Sequence, residues 1–106
     1  MEFKDVQKAA SEMRELYRKL EVKKYDKEWD EKDIALGFVG DVGDLMKLVI
    51  AKDGKRDIKD IDNKLSHELS DCLWSILVLA DYYKVDLESE FIKTMDQLRR
   101  KIGETK

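Results

Sequence analysis

The chain contains no proline, only five glycines and no apolar run long enough to cross a membrane. Because strands need turn residues at short intervals, this scarcity favours long helices over a β-sheet fold. The single cysteine, Cys72, excludes an internal disulfide, which is typical of a reducing compartment. The first residues, MEFKDVQKAASEMREL, are charged throughout and lack the apolar segment of a signal peptide, so we expect a cytoplasmic protein.

An excess of positive charge is also missing. The formal net charge is -3 over 106 residues, which does not provide the basic surface that sequence-independent binding to a nucleic acid polymer requires. We therefore expect neither a nucleic acid polymer nor a membrane as a partner. A chain of this length predicts one domain, residues 1–106, with a core small enough that self-association would add stability.

Apolar residues recur at three- and four-residue steps through most of the chain, which predicts four amphipathic helices. The connections between them are short and favour antiparallel neighbours, so we predict an all-α fold, specifically a four-helix bundle. Aspartates precede two of the helices and can cap their free backbone N–H groups. The predicted helices are about 3–22, a second after an Asp33 cap to about Ala51, a third beginning between Ile58 and Asp62 and ending near Tyr83, and a fourth after an Asp86 cap that Gly103 ends.

Two pairs of acidic residues lie within partly apolar faces of the second and third predicted helices. Asp41 and Asp44 are three residues apart and share one helix face, and Glu68 and Asp71 repeat that spacing on the third helix. Two such pairs directed toward a bundle interior would repel each other and lose hydration. A divalent cation relieves both effects, and Mg²⁺ prefers carboxylate oxygen. The spacing predicts a magnesium site, and the alternative is that both pairs lie exposed on solvated faces.

The chain also carries two longer segments, IALGFVGDVGDLMKL at 34–48 and HELSDCLWSILVLADYYKVDL at 67–87. They resemble the GEVGEL segment and the ExxD helix of the MazG-like all-α nucleoside triphosphate pyrophosphohydrolases. The resemblance covers roughly Trp29 to Met95 and implies a helical bundle that assembles as a homodimer or homotetramer. It also implies hydrolysis of a nucleoside triphosphate to the monophosphate and pyrophosphate with Mg²⁺, for which Mn²⁺ can substitute.

The resemblance assigns roles to the four acids. It places Asp41 and Asp44 at the family's ExxE pair, and Glu68 and Asp71 at its ExxD pair. It implies that all four hold the metal. One carboxylate would also act as the base toward the attacking water, and by position Asp41 or Asp44 is the candidate. Both glutamates of the ExxE pair are aspartates here, one methylene shorter, which reduces the reach of one wall of a site whose metal demands near-octahedral geometry.

Three further residues are candidates for substrate binding. Trp29 lies just before the second helix, where the family builds part of its base pocket, and it either stacks on a nucleobase or packs against the bundle end. Lys32 is placed to reach a phosphate. Arg99 either binds phosphate or complements the dipole at a helix C-terminus. Thr94 and Leu98 stand where the family often has a lysine and an asparagine that bind substrate.

These features leave two functional hypotheses. The first is a Mg²⁺-dependent nucleoside triphosphate pyrophosphohydrolase, which the two acidic motifs in their expected order favour. The second is a MazG-like bundle with impaired catalysis that acts as a nucleotide-binding or oligomeric interaction module. The shorter acids, together with Thr94 and Leu98, favour this second hypothesis.

Overall fold

The computed structural model describes residues 1–104 and contains four α-helices and no strand in that range. The predicted all-α class is confirmed. Among residues 1–104, no helix combines the length and the apolar character that crossing a bilayer requires. The helices are α1 at Phe3–Tyr25, α2 at Glu31–Lys52, α3 at Ile61–Tyr82 and α4 at Leu87–Glu104.

The start of α2 differs from the prediction. Asp30, not Asp33, is the N-cap, because its Oδ1 accepts a hydrogen bond from the Asp33 N–H at 3.0 Å. The Asp33 carboxylate in turn accepts from the Asp30 N–H at 3.0 Å, which makes a reciprocal capping box. An acid three residues inside the helix completes this arrangement, so the outer of two equivalent aspartates becomes the cap and α2 begins at Glu31.

The C-terminal ends of the first and fourth helices also differ slightly from the prediction, whereas the cap of the fourth agrees with it. The first helix continues past residue 22 to Tyr25, where Asp26 adopts the left-handed conformation at φ 56° and its N–H bonds the Val22 carbonyl at 3.0 Å. Asp86 accepts from the Ser89 N–H at 3.3 Å before α4, as predicted for its cap. Gly103 does not end α4, which continues to Glu104, because glycine weakens a helix without forbidding it.

The most extensive packing within the described residues joins α2 to α3, which run antiparallel. Lys52 at the end of α2 pairs with Asp62 at the start of α3, and the Glu31 carboxylate at the start of α2 lies near enough to the Tyr82 hydroxyl at the end of α3 to raise the pKa of that hydroxyl. Helix α1 packs on α3, whereas no residue of α4 is buried. The buried apolar side chains are Ala10, Ile34, Leu48, Ala51, Cys72, Leu77, Val78 and Ala80.

Candidate functional site

Three carboxylates converge midway along the α2–α3 pair. Asp41 and Asp44 lie one turn apart on α2, and Glu68 faces them from α3 because the two helices are antiparallel. One oxygen from each of the three lies within 4.8 Å of the others. Asp41 and Glu68 are half-buried and Asp44 is exposed, so the group opens to solvent on one side.

The carboxyl group of Glu68 lies in an environment that is unfavourable to its negative charge. Its Oε1 is shielded from solvent and has no hydrogen-bond partner within the described residues. Burial and the negative charges of Asp41 and Asp71 raise the pKa of the Glu68 carboxyl above its ordinary value of 4.5. The folded protein therefore disfavours the ionised form of Glu68 as long as no cation compensates it.

The fourth predicted acid, Asp71, lies beside this group but not within it. Its Oδ2 is 3.2 Å from Nε2 of His67, an exposed residue one turn earlier on α3. The Asp71 charge still reaches Glu68 and contributes to the raised pKa of that carboxyl. The structure thus brings three of the four predicted ligands together. The fourth, Asp71, lies one helical turn after Glu68 on α3.

The geometry of the three carboxylates is compatible with one magnesium ion. Mg²⁺ binds oxygen at about 2.1 Å in an octahedron, so two opposite ligand oxygens lie about 4.2 Å apart. The three carboxylate oxygens lie within 4.8 Å of one another, and side-chain rotations that shorten these separations would bring them to the spacing of ligands on one ion, about 3.0 Å for adjacent and about 4.2 Å for opposite positions. The solvent-shielded, unpartnered oxygen of Glu68 would also gain the partner that it lacks.

A cavity of about 670 Å³ adjoins the acids on the side of α1. We call it the aromatic cavity because Tyr17, Trp29 and Trp74 line it, with Asp41 and Asp71 at the acidic edge. The Trp74 indole is held by an edge-to-face contact with Tyr17, at 5.6 Å between ring centroids, and by a hydrogen bond from Nε1 to the Ala10 carbonyl at 3.2 Å. Trp29 is about half exposed, so part of its side chain is accessible to a ligand.

A buried ion pair fixes the backbone of Trp29. Arg14 and Glu21, both on α1, are 6% and 3% exposed and form two hydrogen bonds with each other at 2.8 and 3.2 Å. Arg14 Nη2 also donates to the Trp29 carbonyl at 2.8 Å, and Glu21 Oε1 accepts from the Trp29 N–H at 2.7 Å. Sequence reasoning missed this pair. Its only signal is the spacing of seven residues, which places opposite charges on one face of a helix.

The two predicted cationic residues lie outside the aromatic cavity within the described part of the chain. Lys32 is exposed in the first turn of α2. Arg99 is on α4 and pairs with Asp96 at 3.0 Å. Their roles, and those of Trp29 and the four acids, stay predictions.

No protein-family model, curated protein or solved structure matches this chain. The MazG-like resemblance therefore rests on the two sequence motifs.

The raised pKa of Glu68 predicts a pH-dependent change in stability. We expect Glu68→Gln to raise the melting temperature of the metal-free protein at pH 7, because glutamine removes a carboxylate whose ionised form is disfavoured in the fold. An acid with a raised folded pKa destabilises the fold above that pKa and has no effect below its unfolded pKa of 4.5. The gain in melting temperature should therefore vanish in melts recorded below pH 4.5. Glu12→Gln, at an exposed position of α1, serves as the control. A gain that is equal at both pH values would contradict the electrostatic explanation.

Proposed function

We propose that this protein is a Mg²⁺-dependent nucleoside triphosphate pyrophosphohydrolase. The observation that carries the proposal is the convergence of Asp41, Asp44 and Glu68 from two helices, with a solvent-shielded Glu68 oxygen that lacks a partner. The MazG-like motifs supply the reaction and the substrate class.

The metal would be held by Asp41, Asp44 and Glu68, and Asp71 would join them by rotating away from His67. Bound Mg²⁺, or Mn²⁺ in its place, neutralises phosphate charge and lowers the pKa of a bound water. Because burial and neighbouring negative charges raise the pKa of Glu68, metal binding must displace a proton from it in mild acid. Affinity for the metal should accordingly fall as the pH is lowered.

The reaction requires one nucleophile and one base. A water oxygen attacks the α-phosphorus, and the bond from that phosphorus to the α–β bridging oxygen breaks. Pyrophosphate leaves with the bonding electron pair, and the proton of the water passes to the carboxylate of Asp41 or Asp44. Asp41 lines the aromatic cavity and Asp44 lies one turn further along α2, so both flank the region where the α-phosphate would lie.

The aromatic cavity supports a nucleotide rather than an inorganic polyphosphate as the substrate. The half-exposed Trp29 indole offers a flat apolar surface to a base, and Trp74 is held in place beside Tyr17. Asp41 and Asp71 at the edge of the cavity put the acids next to a bound nucleoside. The base of a nucleoside triphosphate would then stack in the aromatic cavity while its triphosphate lies at the metal-binding carboxylates.

The direct test is a panel of nucleoside triphosphates incubated with and without Mg²⁺, with pyrophosphate and orthophosphate assayed separately. We expect Mg²⁺-dependent release of pyrophosphate and nucleoside monophosphate from at least one of them. Orthophosphate as the primary product would contradict the proposal. Calorimetric binding of a nucleotide without turnover would instead support the non-catalytic module, which the short side chains of Asp41 and Asp44 and the exposed position of α4 favour.

We also propose that the chain forms a homodimer or homotetramer. Its radius of gyration is 17.1 Å, against about 13 Å for a compact chain of this length. Apolar side chains on α1 and α4 stay exposed in one copy, and a second copy of the chain could cover them. They include Leu16, Leu20, Phe91, Leu98 and Ile102.

Sedimentation equilibrium tests this assembly. We expect a dimer or tetramer at micromolar concentration, and Phe91→Glu should shift it toward monomer because a charge replaces an apolar contact. Lys93→Glu, on the polar side of α4, is the control and should leave the assembly intact. A stable monomer for the parent protein would contradict self-association.

A further inference from the structure

A second cavity adjoins the acids and is lined by residues of α2, of α3 and of the connection between them. It has a volume of about 540 Å³ and is lined by Asp44 and Glu68 together with two lysines, Lys47 and Lys64. We call it the lysine cavity. His67 lines both this cavity and the aromatic cavity, so the two are neighbours across the carboxylates.

Helix geometry explains why both lysines lie at the same end of the acid group. Lys47 follows Asp44 by one turn on α2, and Lys64 precedes Glu68 by one turn on α3. Because α2 and α3 are antiparallel, both steps lead toward the connection between these helices. Lys47 and Lys64 thus line one cavity from two different helices.

Neither lysine is neutralised by an acid within residues 1–104. Lysines three or four residues from an acid on a helix commonly pair with it, yet neither Lys47 nor Lys64 forms an ion pair in the described structure. Lys52, near the same end of α2, is by contrast paired with Asp62. The positive charges of the lysine cavity are therefore available to an anionic ligand.

We propose that Lys47 and Lys64 form the subsite that binds the leaving pyrophosphate. This inference rests on the proposed function, because it takes the triphosphate to extend from the aromatic cavity across the carboxylates. When the bond between the α-phosphorus and the bridging oxygen breaks, the electron pair and its charge remain on pyrophosphate. Two ammonium groups at that end stabilise this charge, whereas Arg99 on α4 is paired with Asp96.

Calorimetric titration of inorganic pyrophosphate with Mg²⁺ tests the subsite without requiring turnover. We expect the double variant Lys47→Ala/Lys64→Ala to raise the dissociation constant about tenfold, since each exposed charge pair contributes a few-fold. Lys47→Arg/Lys64→Arg should retain binding because the charges remain. The matched control is Lys8→Ala/Lys19→Ala, which removes two exposed charges from α1 and should leave the dissociation constant unchanged.

The outcomes separate this inference from the proposed function. If the lysine-to-alanine variant binds pyrophosphate as tightly as the parent, or if the parent does not bind it, the subsite is excluded even where triphosphates are hydrolysed. If no triphosphate is hydrolysed but pyrophosphate binding depends on both lysines, the subsite stands and the proposed reaction fails. In the expected case, binding of nucleoside monophosphate stays the same in all variants, because that product occupies the aromatic cavity.

Discussion

Glu68→Gln is expected to lower the rate of Mg²⁺-dependent pyrophosphate release by more than about 100-fold. Even groups that only orient metal ligands cost 10–100-fold when they are removed, and Glu68 would be a ligand itself. Glutamine keeps the size of the side chain but loses the charge. Because the Glu68 carboxyl has no hydrogen-bond partner at Oε1 and is disfavoured in its ionised form, its loss should not unfold the metal-free protein.

Initial rates of pyrophosphate release, at saturating triphosphate and with Mg²⁺ varied, measure this effect. Asp41→Asn and Asp44→Asn should cause similar losses, because they remove the two other members of the group. Glu12→Gln, an exposed acid of α1, should retain the parent rate. A Glu68→Gln protein with parental activity and parental dependence on Mg²⁺ would place the metal elsewhere.

Arg14→Met should lower the free energy of unfolding by about 3–5 kcal/mol, the cost of breaking a buried ion pair on one side. The variant leaves the buried Glu21 carboxylate without its guanidinium and the Trp29 carbonyl without its donor. Arg18→Met is the matched control. Arg18 lies on the same helix but pairs with Glu15 and Glu28 at the surface, where the loss should be below about 1 kcal/mol.

Urea denaturation at one protein concentration measures the free energy of unfolding of both variants. Equal losses in the two variants would contradict a structural role for the buried pair.

The pH dependence of stability gives a second measurement. Burial opposes ionisation of Glu21, but hydrogen bonds from Arg14 and the Trp29 N–H leave the pKa of Glu21 below its ordinary value of 4.5. The pair therefore stabilises the fold above pH 4.5, and this contribution is lost as the pH falls through the folded pKa. Arg14→Met should lack that acid-dependent loss.

The helices were predictable because their signal is local. Apolar spacing of three and four residues gave four helices in the right order, and it put Asp41 with Asp44 on one face. The cap of α2 was not predictable in the same way. Asp30 and Asp33 offer the same chemistry, and only the backbone at Asp30 shows which of them stands outside the helix.

The sequence by itself determined the all-α class and the pairing of acids along each helix, because the helical period decides which residues share a face. Only the tertiary structure decided what those faces meet. The rotation and register of α3 against α2 bring Glu68 to the aspartates and leave Asp71 beside His67. The connection after α1 brings the Trp29 carbonyl to Arg14, which is buried in the fold. The helical period could not predict this burial, because it does not distinguish a charged face in solvent from one that another segment covers.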